Sequence, residues 1–201
     1  MSETLGIRGR TERYFHELQA RKDLLALPPS PIVFDLPLRI RDIHGVEVGS
    51  PSHDKEKGLF GAIDLLAHRG ARVKIPDDAL IVDVVHGHGD GGPEERFKDL
   101  TNRVVLGIRL NEVEFVYMDF MHVSPTPEVI AARGGTLANG STLGVVDTSG
   151  WTTEPHLHMF AQRVFLTPET ETINHYMTKP LRIRFLDKYL MNFHARFLYP
   201  R

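Results

Sequence analysis

The sequence predicts an all-β domain preceded by a helical arm, and three observations carry that prediction. Beyond Pro31 the chain breaks into short runs rich in β-branched and aromatic residues, separated by Gly, Pro and Asp. Ahead of Pro31 lies the stretch Thr11 to Leu27, in which Tyr14, Leu18 and Leu25 recur near one face of a helix. The 201 residues, 41% of them hydrophobic, suffice for one substantial core.

Thr11 is placed to cap the helix, and Pro28-Pro29-Ser30-Pro31 stops it because proline lacks an N–H and clashes with the preceding turn. Residues 1–30 are therefore expected to form an arm that packs on the domain or on a second copy of the chain, with residues 31–201 as the domain. Strands are expected at Ile32 to Phe34, Ala79 to Val85, Arg103 to Arg109, Glu114 to Met118, Thr142 to Val146 and His156 to Phe160. Gly87 to Pro93, with four glycines, is expected to be a loop that the charged stretch Glu94 to Asp99 extends. Leu181-Arg182-Ile183-Arg184-Phe185 alternates apolar and basic residues, as an edge or half-exposed strand does. No internal repeat or low-complexity tract interrupts the pattern.

Charge narrows the partners. Lys plus Arg number 24 against 26 Asp plus Glu, and the net charge of -2 gives no electrostatic case for nucleic acid or a membrane surface. With no cysteine, disulfides, thiolate zinc sites and cysteine nucleophiles are all excluded, so any metal falls to His, Asp and Glu. Met1 to Arg13 is polar and charged, unlike a signal peptide, and no stretch approaches the roughly 18 apolar residues of a membrane span. The expectation is a soluble chain, cytoplasmic by default, or in the envelope or secreted if a leader has been removed.

The chemistry concentrates in Glu154-Pro155-His156-Leu157-His158, just after Ser149-Gly150-Trp151. On a strand the two rings point to the same face. They can hold one metal ion together, or one can bind the metal while the other handles a proton. His86 and His88 form a second pair of that spacing, but they border the glycine loop and are expected at the surface. His16, His44, His68, His175 and His194 receive no role. Trp151, the one tryptophan, either lines a substrate groove or packs beneath the loop.

From Pro31 to Phe165, and more weakly from Lys179 to Phe197, these residues resemble the lysostaphin-type zinc metallopeptidases. Ser149 to His158 is similar to that family's closing motif. Asp64 in Ala62-Ile63-Asp64-Leu65 resembles its ligand aspartate and is followed by the turn Gly70-Ala71-Arg72-Val73, while Phe120-Met121-His122-Val123 resembles the segment that supplies a catalytic histidine. The order of these elements matches too. In the commonest pattern the first ligand histidine stands four residues before the aspartate, where this chain has Phe60. A branch of the family carries that histidine upstream in a Ser-His pair. Ser52-His53 ahead of Phe60-Gly61-Ala62-Ile63-Asp64 resembles that arrangement, as does Asp90-Gly91-Gly92-Pro93 leading to Thr101-Asn102-Arg103-Val104-Val105.

The resemblance implies a zinc site of His53, Asp64 and His158, with His122 and His156 as catalytic residues. Two His and one carboxylate are a common zinc set that leaves a position for water, whose activation removes the need for a side-chain nucleophile. A proton acceptor and a stabiliser of the oxyanion remain to be supplied, and His122 and His156 share those roles in either order. The resemblance further implies mainly antiparallel sheets forming a narrow groove with the metal at its floor. The implied substrates are short, often glycine-containing peptides, above all peptidoglycan stem peptides or cross-bridges. Two other classes stand beside this one. If Phe60 marks a lost ligand, the chain is a catalytically degenerate scaffold that binds peptide or a partner enzyme. Two His and a carboxylate also serve iron(II) oxygenases, but the closely spaced His-x-Asp/Glu of that class is missing around Asp64.

Overall fold

The computed structural model describes residues 30–48, 62–165 and 179–181. The expected helix at Thr11 to Leu27, the arm it belongs to, His53, Phe60 and Arg182 to Phe185 lie outside them.

The regular structure of the described chain is mostly antiparallel sheet. In chain order the strands are β1 (Ile43–Val48), β2 (Ile63–Ala67), β3 (Arg72–Lys74), β4 (Ala79–Val85), β5 (Arg103–Arg109), β6 (Glu114–Met121), β7 (Val123–Pro125), β8 (Thr136–Leu137), β9 (Thr142–Val146), β10 (His156–Phe165) and β11 (Lys179–Leu181). A short helix, α1 (Pro127–Ala131), precedes β8, with Thr126 as its cap and proline in its first turn. The larger sheet runs β1-β2-β10-β6-β5-β4-β8, with β11 also paired to β10, and the smaller runs β3-β9-β7. Strand β10 is shared along its length. His156 to Met159 pair with β2 and Ala161 to Arg163 with β11, while the opposite edge pairs with β6 from His158 to Phe165.

Alternation places one face of the large sheet in the core. Leu65 and Ala67 of β2, Leu157, Met159 and Ala161 of β10, Val116, Met118 and Phe120 of β6, and Val104 and Leu106 of β5 are fully or almost fully buried. They join Val73, Val123, Leu143 and Val146 of the small sheet in one cluster, so the core lies between the two sheets. Burial of this apolar surface is the main stabilising contribution.

Three expected strands stand as expected at Ala79–Val85, Arg103–Arg109 and Thr142–Val146, while two run longer, to Met121 and to Phe165. Ile32 to Phe34 is a correction: only Phe34 makes a bridge, and Pro31 and Pro37 flank the segment. Proline cannot donate to a ladder, and Phe34 serves as a core anchor instead, fully buried. Strand β2 gave no alternating signal because Asp64 is buried along with Ile63 and Leu65, on both of its faces.

The glycine loop docks on the segment preceding β10. The Gly91 N–H donates to the Thr148 carbonyl at 2.6 Å, Gly92 N–H to Gly150 at 3.1 Å, and Thr152 N–H to Gly92 at 3.2 Å. The Trp151 indole N–H reaches the Pro93 carbonyl at 2.7 Å. A Cβ on Gly91 would overlap the Gly150 carbonyl oxygen. Gly91→Ala should therefore force the two segments apart and destabilise the fold by about 1–3 kcal/mol. Urea unfolding measures this, and unchanged stability would mean the loop does not pack here in solution.

Candidate metal centre

Because Leu157 and Met159 face the core, His156 and His158 face the other side of the large sheet. The register sets His158 directly opposite Asp64 on β2. Side chains so placed are natural partners across an antiparallel pair. The His158 Nδ1 lies 2.8 Å from Asp64 Oδ1, and His156 Nε2 lies 3.7 Å from the same oxygen. Donor atoms from the three residues all fall within 4.8 Å of one another. Asp64 and His158 are buried and His156 nearly so, its side chain 12% exposed.

The His156 Nδ1–H donates to the Glu154 carbonyl at 2.9 Å, which leaves Nε2 with its lone pair on the Asp64 side. Between His158 and Asp64 the shared proton is the one a cation would replace, since ligands bind deprotonated. One carboxylate oxygen and two imidazole nitrogens, gathered at one point and screened from water, fit zinc, which takes N and O donors of this kind.

His122 stands beside the cluster, supplied by a third segment. Strand β6 ends at Met121, and His122 turns out of it with φ of 60°, a left-handed conformation costly for any residue but glycine. The turn carries its ring to 4.4 Å from that of His156 and 6.4 Å from that of His158, centroid to centroid. The Nδ1–H donates to the Ser149 carbonyl at 2.6 Å, so Nε2 carries the lone pair. Burial, assisted by the neighbouring His156, pushes the His122 pKa down to about 3. Near pH 7 the ring is thus neutral and able to accept a proton.

Of the residues expected from sequence, the structure brings Asp64, His122, His156 and His158 together, while His53 lies outside the described residues. His86 is exposed and His88 half-buried. Trp151 is 40% exposed and tied to the loop at Pro93, an exposed aromatic rather than a packed one. Sequence reading missed the polar residues that hold His122, namely Asn102, Asp147 and Ser149. Ser149 lay inside the closing motif and Asn102 inside the Thr101 to Val105 segment, though neither was given a role, and nothing local marked Asp147.

The site's face continues across β6 to β5, where the register runs His158–Met121–Arg103. There Arg103 lies 3.4 Å from Asp83 and 3.8 Å from Asp119, and Arg133 lies 2.9 Å from Asp83. Burial raises the Asp119 pKa to about 6 against the pull of Arg103. The folded chain therefore holds this proton more tightly than the unfolded one. The associated stability is complete below pH ~4, the unfolded value, and is lost as pH rises through 6. Asp119→Asn cannot ionise and should gain about 1–3 kcal/mol over the parent at pH 8 but little at pH 4. Urea titrations at the two pH values test this, and equal effects at both would refute it.

Comparison with solved structures finds similarity to a set of peptidase structures, three of which follow. The catalytic domain of the antimicrobial peptidase lysostaphin from Staphylococcus simulans is 24% identical, over 59% of this chain and 76% of that one, at a TM-score of 0.38. A zinc-containing peptidase from Vibrio cholerae is 19% identical over 68% of this chain and 33% of that one, at 0.37. The catalytic domain of the prophage-encoded M23 protein EnpA from Enterococcus faecalis, in a mutant form, is 21% identical over 72% and 91%, at 0.39. No protein-family model matches the chain, and no curated protein matches it. At these identities and TM-scores the likeness carries no argument, and the chemistry rests on the site's own residues. Among the described residues, no helix is long and apolar enough to cross a membrane.

Proposed function

We propose that this chain is a zinc-dependent metallopeptidase that hydrolyses a peptide bond in short, often glycine-containing peptides, above all the stem peptides or cross-bridges of peptidoglycan. The observation that carries the reading is the meeting of Asp64, His156 and His158 at one point, with the neutral His122 tilted against His156 beside them. Asp64 and His158 hold the metal in this reading, and His53 is proposed as the third ligand. A bound zinc ion would polarise the scissile carbonyl and make a water nucleophilic near neutral pH. His122 Nε2 takes a proton from the nucleophile, a role suited to its unprotonated state, and His156 supports the oxyanion. The substrate class follows the resemblance of Ser149 to His158 to the lysostaphin-type motif, and an extended peptide suits a site laid across strands.

Elemental analysis of the purified protein and of His53→Ala, with assays on glycine-containing cross-bridge peptides, tests the reading. Near-stoichiometric zinc with hydrolysis in the parent, and loss of both in the variant, is the expected result. Zinc retained in the variant would pass the third ligand position to His156. Little zinc and no hydrolysis in the parent would overturn the peptidase reading in favour of a peptide-binding scaffold.

A further inference from the structure

His122 is held by a closed circuit of hydrogen bonds drawn from two distant segments. Its N–H donates to the Asn102 carbonyl at 3.0 Å, and its own carbonyl accepts the Asp147 N–H at 2.8 Å. The ring Nδ1–H is bound by the Ser149 carbonyl. Those three residues are joined to one another by the Asp147 carboxylate. Its Oδ1 accepts the Ser149 N–H at 2.9 Å and the Ser149 hydroxyl at 2.7 Å, while Oδ2 accepts from Asn102 Nδ2 at 2.8 Å. The Ser149 hydroxyl oxygen in turn accepts the Asn102 N–H at 2.9 Å. Ser149 and Asn102 are buried, so few of these bonds can be exchanged for water.

We propose that Asp147 is a positioning residue: by fixing the Ser149 carbonyl and Asn102, it sets the aim of the His122 ring and keeps the ring's proton on Nδ1. Three donors converge on the two oxygens, which requires an acceptor-only group. An amide there has one acceptor oxygen and would turn an NH2 toward the Asn102 NH2. Asn102 is then pushed away and, through its N–H bond to the Ser149 hydroxyl, the hold on the Ser149 carbonyl slackens, so the ring is free to carry its proton on Nε2, where it blocks proton acceptance. The consequence for turnover rests on the peptidase reading above; the tautomer does not.

The test compares the parent with Asp147→Asn by long-range 1H–15N NMR of the imidazoles, using His122→Gln to assign the signal, together with peptide hydrolysis and zinc content. In the parent, His122 should be protonated on Nδ1 alone. Asp147→Asn should show a mixture of tautomers, a fall in kcat of about 10–100-fold as for other residues that orient a site's side chains, little change in KM, and unchanged zinc. A tautomer change without hydrolysis even in the parent would sink the peptidase reading and leave the positioning role standing. An unchanged His122 signal in folded Asp147→Asn would overturn the proposal whatever the activity. Should Asp147→Asn fail to fold, Ser149→Ala, which removes one hydroxyl and keeps the carbonyl, must show a smaller drift in the same direction. An unchanged signal there would equally overturn it.

Discussion

His158→Ala is expected to yield a folded chain that no longer retains zinc and no longer turns over substrate. His158 stands on the face of β10 turned away from the core, flanked by the core residues Leu157 and Met159, so the packing that holds the strand survives its truncation. The loss of its 2.8 Å bond to the buried Asp64 should cost about 1–3 kcal/mol, tolerable for a domain of this size. What cannot survive is the donor set, because two remaining ligands hold zinc poorly. Circular dichroism and elemental analysis on the same sample decide the matter. Full zinc occupancy in the variant would remove His158 from the site.

His122→Gln should act on turnover alone. The ring approaches His156 and His158 without joining the Asp64 cluster, so zinc content should be unchanged. Glutamine preserves much of the volume and can still donate toward the Ser149 carbonyl, but it offers no nitrogen lone pair to accept a proton. A general base contributes about 10²–10⁴-fold, and a fall in kcat of that size is expected. A variant with parental kcat would assign the proton transfer to His156.

What the sequence disclosed and what it hid follow from the range of the interactions involved. Arg103–Arg109 and Thr142–Val146 announced themselves because β-branched residues between turn signals are a local property. The His156–His158 pair was equally visible, since a spacing of two has a meaning on any strand. Strand β2 was hidden because both of its faces are covered and no alternation remained to be read. Ile32 to Phe34 misled for the opposite reason: its apolar residues serve the core as an anchor, without a ladder. Asp147 carried no signal, and Asn102, though inside a recognisable segment, no role, for their meaning lies in a bond between residues 45 apart in the chain. The left-handed turn at His122 is likewise imposed by its partners, since histidine has no preference of its own for that conformation.

The pairing of β2 with β10 has a kinetic consequence. Asp64 and His158 sit side by side although 94 residues separate them, and the strands between them in sequence, β3 to β9, must find their places while that long loop closes. Contacts of such separation form slowly and give no partial reward, so no piece of this domain that lacks β10 brings Asp64 to His158. In a nascent chain emerging from a ribosome that pair would be absent until β10 had been made. In the zinc reading the ion is the last addition to a sheet that already stands, and it can leave without opening that sheet.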